Sequence, residues 1–286
     1  MKWKSMATPF SKLIVLLAVL ILPALAQAES PPESPETESS FWDDLRWDMS
    51  IGVGIDFSHD ILAVAEERNL TPFFDVNFSL EYKNFYFDVQ RSNLPGGAFL
   101  GYQLWQGEDW QLDLVGGTYI SGFDENGNLY TKTSGPWLAG ITRRDDDFNV
   151  GLKIARQFQY VDFSSELVND VGSAHGAWMW RSVVSKAIPL GNWDMRGGVG
   201  IDLYSARLAN YYYGVSAGEA NAYRPQYQPG TSFGGYVMLV AEYPITEDWV
   251  FNGGALLGVA SPSIYNSPLT SSAVRSVGYM GVKYVF

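Results

Sequence analysis

The residues able to do chemistry are few. His59 and His175 are the only imidazoles, and there is no cysteine. Without thiols there is no Cys nucleophile, no Cys-ligated metal and no disulfide framework. Export remains compatible, because an exported protein need not use disulfides. A serine hydrolase needs a serine within hydrogen-bond reach of a histidine that a third group orients. A His-x-Ser pair on one strand face would supply this, but Ala177 stands two residues after His175 and Ile61 two after His59. Both histidines read as ordinary loop or rim residues. Asp145-Asp146-Asp147 offers hard oxygen ligands of the kind a divalent cation takes. One acidic run is not a full ligand set, and after Arg143 and Arg144 it reads as a charged, solvated tight turn. Gly197-Gly198-Val199-Gly200 is no phosphate cradle, since it falls within a strand pattern and no helix follows; glycine there lets a sheet curve. No catalytic, cofactor-binding or metal-binding residue is assigned.

Tyrosines are the remaining candidates. Asn210-Tyr211-Tyr212-Tyr213-Gly214-Val215-Ser216 is followed by Tyr223 and Tyr227. Their rings could line a mouth and touch a ligand or partner, or fold inward and pack a loop as a lid. Tyrosine offers large contact area at low entropic cost in either case, and the lid is the favoured reading.

What must position these residues begins with an address. Lys2, Lys4 and Lys12 precede the apolar run Leu13–Leu22, and Ala26-Gln27-Ala28 supplies the small residues of a cleavage site. This is the pattern of a secretory signal, cleaved after Ala28. The apolar run is short of the ~20 residues that span a bilayer as a helix, and Pro23 follows it. Residues 29–45 are acidic and rich in Pro and Ser, a composition that cannot bury enough surface to fold and implies a flexible periplasmic segment. The chain carries a net charge of −12, and the signal removes only cations. With no basic run in view, nucleic acid is excluded as a partner.

Residues 46–286 form the single domain. Hydrophobic residues make up 47% of the chain and aromatics 15%, yet mean hydropathy is only −0.06. A barrel reconciles these values, because only alternate strand positions face lipid. Phe74, Val76, Phe78 and Leu80 alternate with Asp75, Asn77, Ser79 and Glu81. Val150, Leu152 and Ile154 alternate with Gly151 and Lys153, and Met195, Val199, Ile201 and Leu203 share a face opposite Arg196 and Asp202. The pattern predicts twelve strands near 46–56, 72–82, 85–91, 97–106, 109–121, 135–143, 147–160, 173–187, 192–206, 232–244, 247–260 and 274–286. Tight turns are expected at 83–84, 107–108, 145–147, 189–192 and 245–247, and longer loops at 57–71, 92–96, 122–134, 161–172, 207–231 and 261–273. Short turns alternating with long loops are the habit of outer-membrane barrels, and an even count leaves both termini in the periplasm. Trp47, Trp105, Trp110, Trp137, Trp178, Trp180, Trp193 and Trp249 fall near strand ends, as an interfacial girdle would. Asp113, Lys153, Arg196 and Asp202 are expected in the lumen. The fold class is thus all-β, a transmembrane antiparallel β-barrel of about 12 strands with periplasmic termini, in contact with outer-membrane lipid.

The last strand must pair with the first, near Trp47, since an unpaired edge in lipid leaves backbone groups unsatisfied. Gly281, Tyr284 and Phe286 match the C-terminal pattern read by the barrel-insertion machinery: glycine, two variable positions, an aromatic, one variable position and a final aromatic.

A more specific resemblance lies near the C-terminus. The Tyr-Tyr-x-Gly-Val-Ser stretch at 211–216, Glu219-Ala220, Tyr227-Gln228-Pro229-Gly230 and the Ser-Pro pairs at 261–262 and 267–268 resemble the MipA/OmpV family of outer-membrane proteins. The likeness is best over 190–286. The first loop departs from it, with Asp56-Phe57-Ser58-His59-Asp60 where the family has a Pro-x-Tyr-x-Gly-Ser-Asp-like turn. The resemblance implies a non-enzymatic scaffold linked to murein machinery, with a lytic transglycosylase and a peptidoglycan synthase as partners. The alternative it leaves open is a narrow porin-like channel for small solutes.

Overall fold

The computed structural model describes residues 44–62, 70–125, 127 and 138–286. The signal segment, most of the acidic segment after it and Trp137 lie outside the described residues.

Twelve strands close into one antiparallel barrel: β1 (Leu45–Asp56), β2 (Thr71–Tyr82), β3 (Phe85–Val89), β4 (Gly97–Gln106), β5 (Trp110–Thr118), β6 (Asn149–Gln157), β7 (Asp162–Asp170), β8 (Trp178–Ala187), β9 (Asp194–Tyr204), β10 (Ser232–Pro244), β11 (Trp249–Ala260) and β12 (Val274–Val285). Among the described residues two helices sit in loops, α1 (Ala206–Tyr213) and α2 (Pro262–Tyr265). Each strand pairs with its chain neighbours, and β12 closes on β1 from Ser50↔Val285 to Asp56↔Tyr279. Phe286 adds one more bond, its N–H donating to Met49 O at 3.1 Å. Closure matters because hydrocarbon offers no partner to a free sheet edge.

Alternation sets the two faces. Phe74, Leu114, Leu152, Val199, Leu257 and Met280 are exposed on the outside. Inside, opposite charges fall in register across five adjacent strands: Asp113↔Lys153, Lys153↔Glu166, Glu166↔Arg181 and Arg181↔Asp202. Cross-strand opposite charges stabilise a sheet, and this row forms a polar belt around half of the lumen. Inward tyrosines use glycines as seats. Tyr86 lies over Gly101 and Tyr236 over Gly200, each directly opposite in register; a Cβ on either glycine would come within 2.2 Å of the ring.

The predicted strand 135–143 is not one. Within it, residues 138–143 are turn and coil. Leu138 and Ile141 are buried in a loop core instead of facing lipid, and Glu219 takes the Thr142 N–H that a strand neighbour would have used. Conversely, the predicted loop 161–172 contains β7. Its outward serine hid the alternation. Ser165 Oγ accepts from Trp180 Nε1 at 2.9 Å and Ser182 Oγ at 2.8 Å, so the outward polar groups satisfy one another. The turn between β6 and β7 falls at 158–161, where Phe158 N–H bonds Val161 O. The expected tight turn 145–147 belongs instead to the long connection 119–148. Short turns and long loops still alternate, and both described chain ends lie at the short-turn end. Trp47, Trp105, Trp110, Trp193 and Trp249 gather at that end, and Trp178 and Trp180 at the other.

Candidate functional site

The long-loop end holds most of the buried apolar core. Leu62, Tyr119, Phe123, Leu138, Ile141, Ala177, Leu208, Tyr212, Val215 and Leu269, all from loops, pack with Val115, Val168 and Met179 of the wall. Five connections therefore turn inward and meet across the mouth.

Helix α1 is the keystone. Leu208, Ala209 and Tyr212 occupy one helical face and are buried, the spacing expected of an amphipathic turn. The helix stops at Gly214, whose N–H bonds Asn210 O. Tyr212 donates to Asp145 O at 3.0 Å. Burial pushes its phenol well above the ordinary tyrosine range, with Asp147 adding to the rise. Tyr211 Oη accepts the Asp145 N–H at 2.8 Å. Tyr213 O accepts from Ser267 Oγ at 2.6 Å, and Tyr227 donates to Ser263 O at 2.9 Å. Tyr223 is 65% exposed. Four of the five tyrosines singled out in the sequence thus join neighbouring loops.

Charged side chains fix the same region, and no sequence pattern marks them as buried. Arg144 pairs with Glu219 at 2.9 Å, both nearly fully buried. Arg144 also donates to Thr142 O and Gly214 O. Burial alone would raise the Glu219 carboxyl. Bonds from Arg144, from Ser216 backbone and hydroxyl, and from the Thr142 N–H outweigh it and hold the group at about 2. Arg224 is fully buried and donates to Glu219 O through Nε and Nη2.

His175 and Asp147 are corrections to the sequence reading. Neither is a rim or solvated-turn residue; both side chains are fully buried. Asp147 Oδ1 accepts the N–H groups of Tyr119 and Ile120. Asp170 accepts those of Gly172, His175 and Gly176, which shapes the His175 loop. His175 Nδ1 accepts the Ala177 N–H, so its proton sits on Nε2 in the neutral ring, facing Asp147 Oδ2 at 3.7 Å. No serine hydroxyl bonds His175 among the described residues, and no group of three or more His, Cys, Asp or Glu there could hold a metal ion. A buried histidine cannot be told from an exposed one by sequence alone when no periodicity marks its loop.

Below this cap the short loop 90–96 crosses the lumen. Arg91 pairs with Asp56 at 2.7 Å and stacks 3.6 Å from the Phe73 ring centroid. Leu94 packs on Leu256 and Tyr279. Gly96 O accepts from Arg181 Nη1 at 2.8 Å, reaching a strand four places away. Nearer the short-turn end, a polar recess of about 500 Å³ is lined by Gln111, Lys153, Asp162, Ser164 and Ser185 among others. At the C-terminus, Tyr284 stacks edgewise on Trp249 and Phe286, while Gly281 allows close approach to Val53 O.

A closed twelve-stranded barrel with an inward-packed Tyr-Tyr-Tyr-Gly-Val-Ser segment sets the frame for comparison. The family model described as MltA-interacting protein MipA matches residues 51–286, from within β1 to the final residue. The chain belongs to this family. Outer membrane protein Omp26La of Vibrio anguillarum is 26% identical over 64% of this chain and 76% of its own length. Outer membrane protein OmpV of Vibrio cholerae is 26% identical over 66% of this chain and 78% of its own. The MltA-interacting protein of Escherichia coli is 26% identical over 65% of this chain and 73% of its own. This MipA-family chain is an outer-membrane barrel, which makes the long-loop end extracellular and the short-turn end periplasmic.

Proposed function

We propose that this barrel is a non-enzymatic adaptor, closed on its outer side by a lid of loops, that places murein-processing enzymes against the outer membrane. The observation that carries the reading is the loop core around α1: burying Leu208, Tyr212, Leu138 and Leu269 across the mouth serves closure and leaves the periplasmic end as the working surface. The murein link rests on the resemblance and on the name of the Escherichia coli relative. Its partners would be a lytic transglycosylase and a peptidoglycan synthase, met at the turns 83–84, 107–109, 158–161, 188–193 and 245–248. Affinity capture on the full-length, detergent-solubilised chain tests this. Retention of the lytic transglycosylase, lost when the periplasmic turns are replaced by short Gly-Ser linkers, is the expected result; no retention of either enzyme sinks the proposal.

The polar belt and the 500 Å³ recess favour a second reading, a narrow channel. Stable unitary conductance of the wild-type chain in planar bilayers would establish it in place of the closed adaptor.

A further inference from the structure

We propose that the lumen beneath the lid contains a binding site for one small oxyanion, a carboxylate or phosphate group, anchored by Arg275. A cavity of about 70 Å³ lies between the roof residues Ile61 and Ile264 and a wall that includes Arg181, Asp202, Tyr236 and Arg275. Its charge is unbalanced. Arg181 is neutralised by Asp202 through bonds of 2.6 and 2.8 Å. Arg275 shares the inward row of β12 with Val277 and Tyr279, and its guanidinium makes no hydrogen bond or ion pair among the described residues. Asp60, on the roof loop, forms no ion pair with it and accepts the Ile61 N–H instead. Tyr236 Oη is buried and also without a partner.

The cavity is kept open by residues that packing does not require. Inward Gly234 and Gly258 have no positive φ, and a Cβ would meet nothing nearer than 3.5 Å and 3.6 Å respectively. This contrasts with Gly101 and Gly200, whose space a tyrosine ring fills. Glycine at 234 and 258 therefore leaves a recess in front of the free guanidinium. A planar guanidinium presents paired donors that match the oxygens of a carboxylate or phosphate, and Arg275 is open to water on the inward face of β12, so an anion can reach it. The volume suits a single such group; drug-sized pockets run from about 300 Å³.

The test is calorimetric titration of the refolded full chain in micelles with inorganic phosphate and, separately, with acetate, at constant ionic strength. Saturable 1:1 binding of at least one is expected. Arg275→Gln and Gly258→Val should each weaken it about tenfold or more, the first by removing the charge and the second by filling the recess while leaving Arg275 in place. Arg275→Lys should retain part of the affinity. Heat-modifiable gel mobility shows that each variant is folded, and having two unrelated variants guards against one that is not. Non-saturating heats for both anions, or an affinity unchanged in a folded Arg275→Gln or Gly258→Val protein, overturns the site.

Discussion

The Arg144–Glu219 pair sits where a charge is hardest to keep, and its partners explain why it survives. Taking either member away leaves the other buried without its counter-charge, which typically costs about 3–5 kcal/mol, whereas replacing both with apolar side chains of similar size is often near neutral. The same bonds predict a pH response. Glu219 is held at about 2 in the folded loop against an ordinary 4.5. A depressed carboxyl contributes stability above the unfolded value and loses it as pH falls through the folded one. Between about pH 4.5 and 2 the loop should lose on the order of 3 kcal/mol. The Thr142 and Ser216 amides, which donate to this carboxylate, report it directly. Their hydrogen-exchange protection should fall about a hundredfold over that range, and Glu219→Gln should show the lower protection already at pH 6. Protection that stays flat down to pH 2.5 would remove the carboxylate from its assigned role.

At the scale of elements, the seating of one strand's ring on its neighbour's glycine makes a sharper prediction than burial does. Gly101→Val must displace the Tyr86 ring, which also donates to Asp113 at 3.0 Å. Overpacking of this kind typically costs about 1–3 kcal/mol. Tyr86→Ala in the same chain should recover much of the loss, because the collision disappears; equal and additive losses in a urea-unfolding double-mutant cycle would show that the two positions do not meet. The elements also show what could be read in advance. Strands such as β2, β5 and β11 declare themselves because lipid demands apolar residues at every second position and turns interrupt them. The lumen-facing residues Asp113, Lys153, Arg196 and Asp202 are legible for the same reason. β7 was not, because Ser165 and Asn169 on its outer face break the alternation and Ser165 is satisfied by Trp180 and Ser182 of the next strand. The segment 138–143 failed in the opposite sense: Leu138 and Ile141 carry strand-like apolar spacing but answer to a loop core. Helix α1 was hidden by its tyrosines, which read as loop or strand residues. Five of the eight tryptophans expected at strand ends mark one rim, the periplasmic one.

For the whole molecule, the consequence is an asymmetric barrel, with apolar loop packing on the outside and a polar recess on the inside. The charge row from Asp113 to Asp202 and the crossing loop at 90–96 lie between them. A pore requires a continuous wet path, and the proposed lid would set buried Leu208 and Tyr212 of α1 across it. If those contacts close the barrel, the wild-type chain should give no unitary steps in a planar bilayer. Weakening them should then create conductance without dissolving the barrel, because the strand ladder closes independently of the loops through β1 and β12. Replacing one buried aromatic with alanine costs about 3–5 kcal/mol, enough to populate an open lid while twelve paired strands hold. Tyr212→Ala combined with Leu208→Ala is therefore expected to show flickering openings, and Tyr223→Ala, at a largely exposed ring, none. Conductance that is present in the wild type and unchanged in the double variant would mean that the solute path bypasses α1 and that the lid is not a closure.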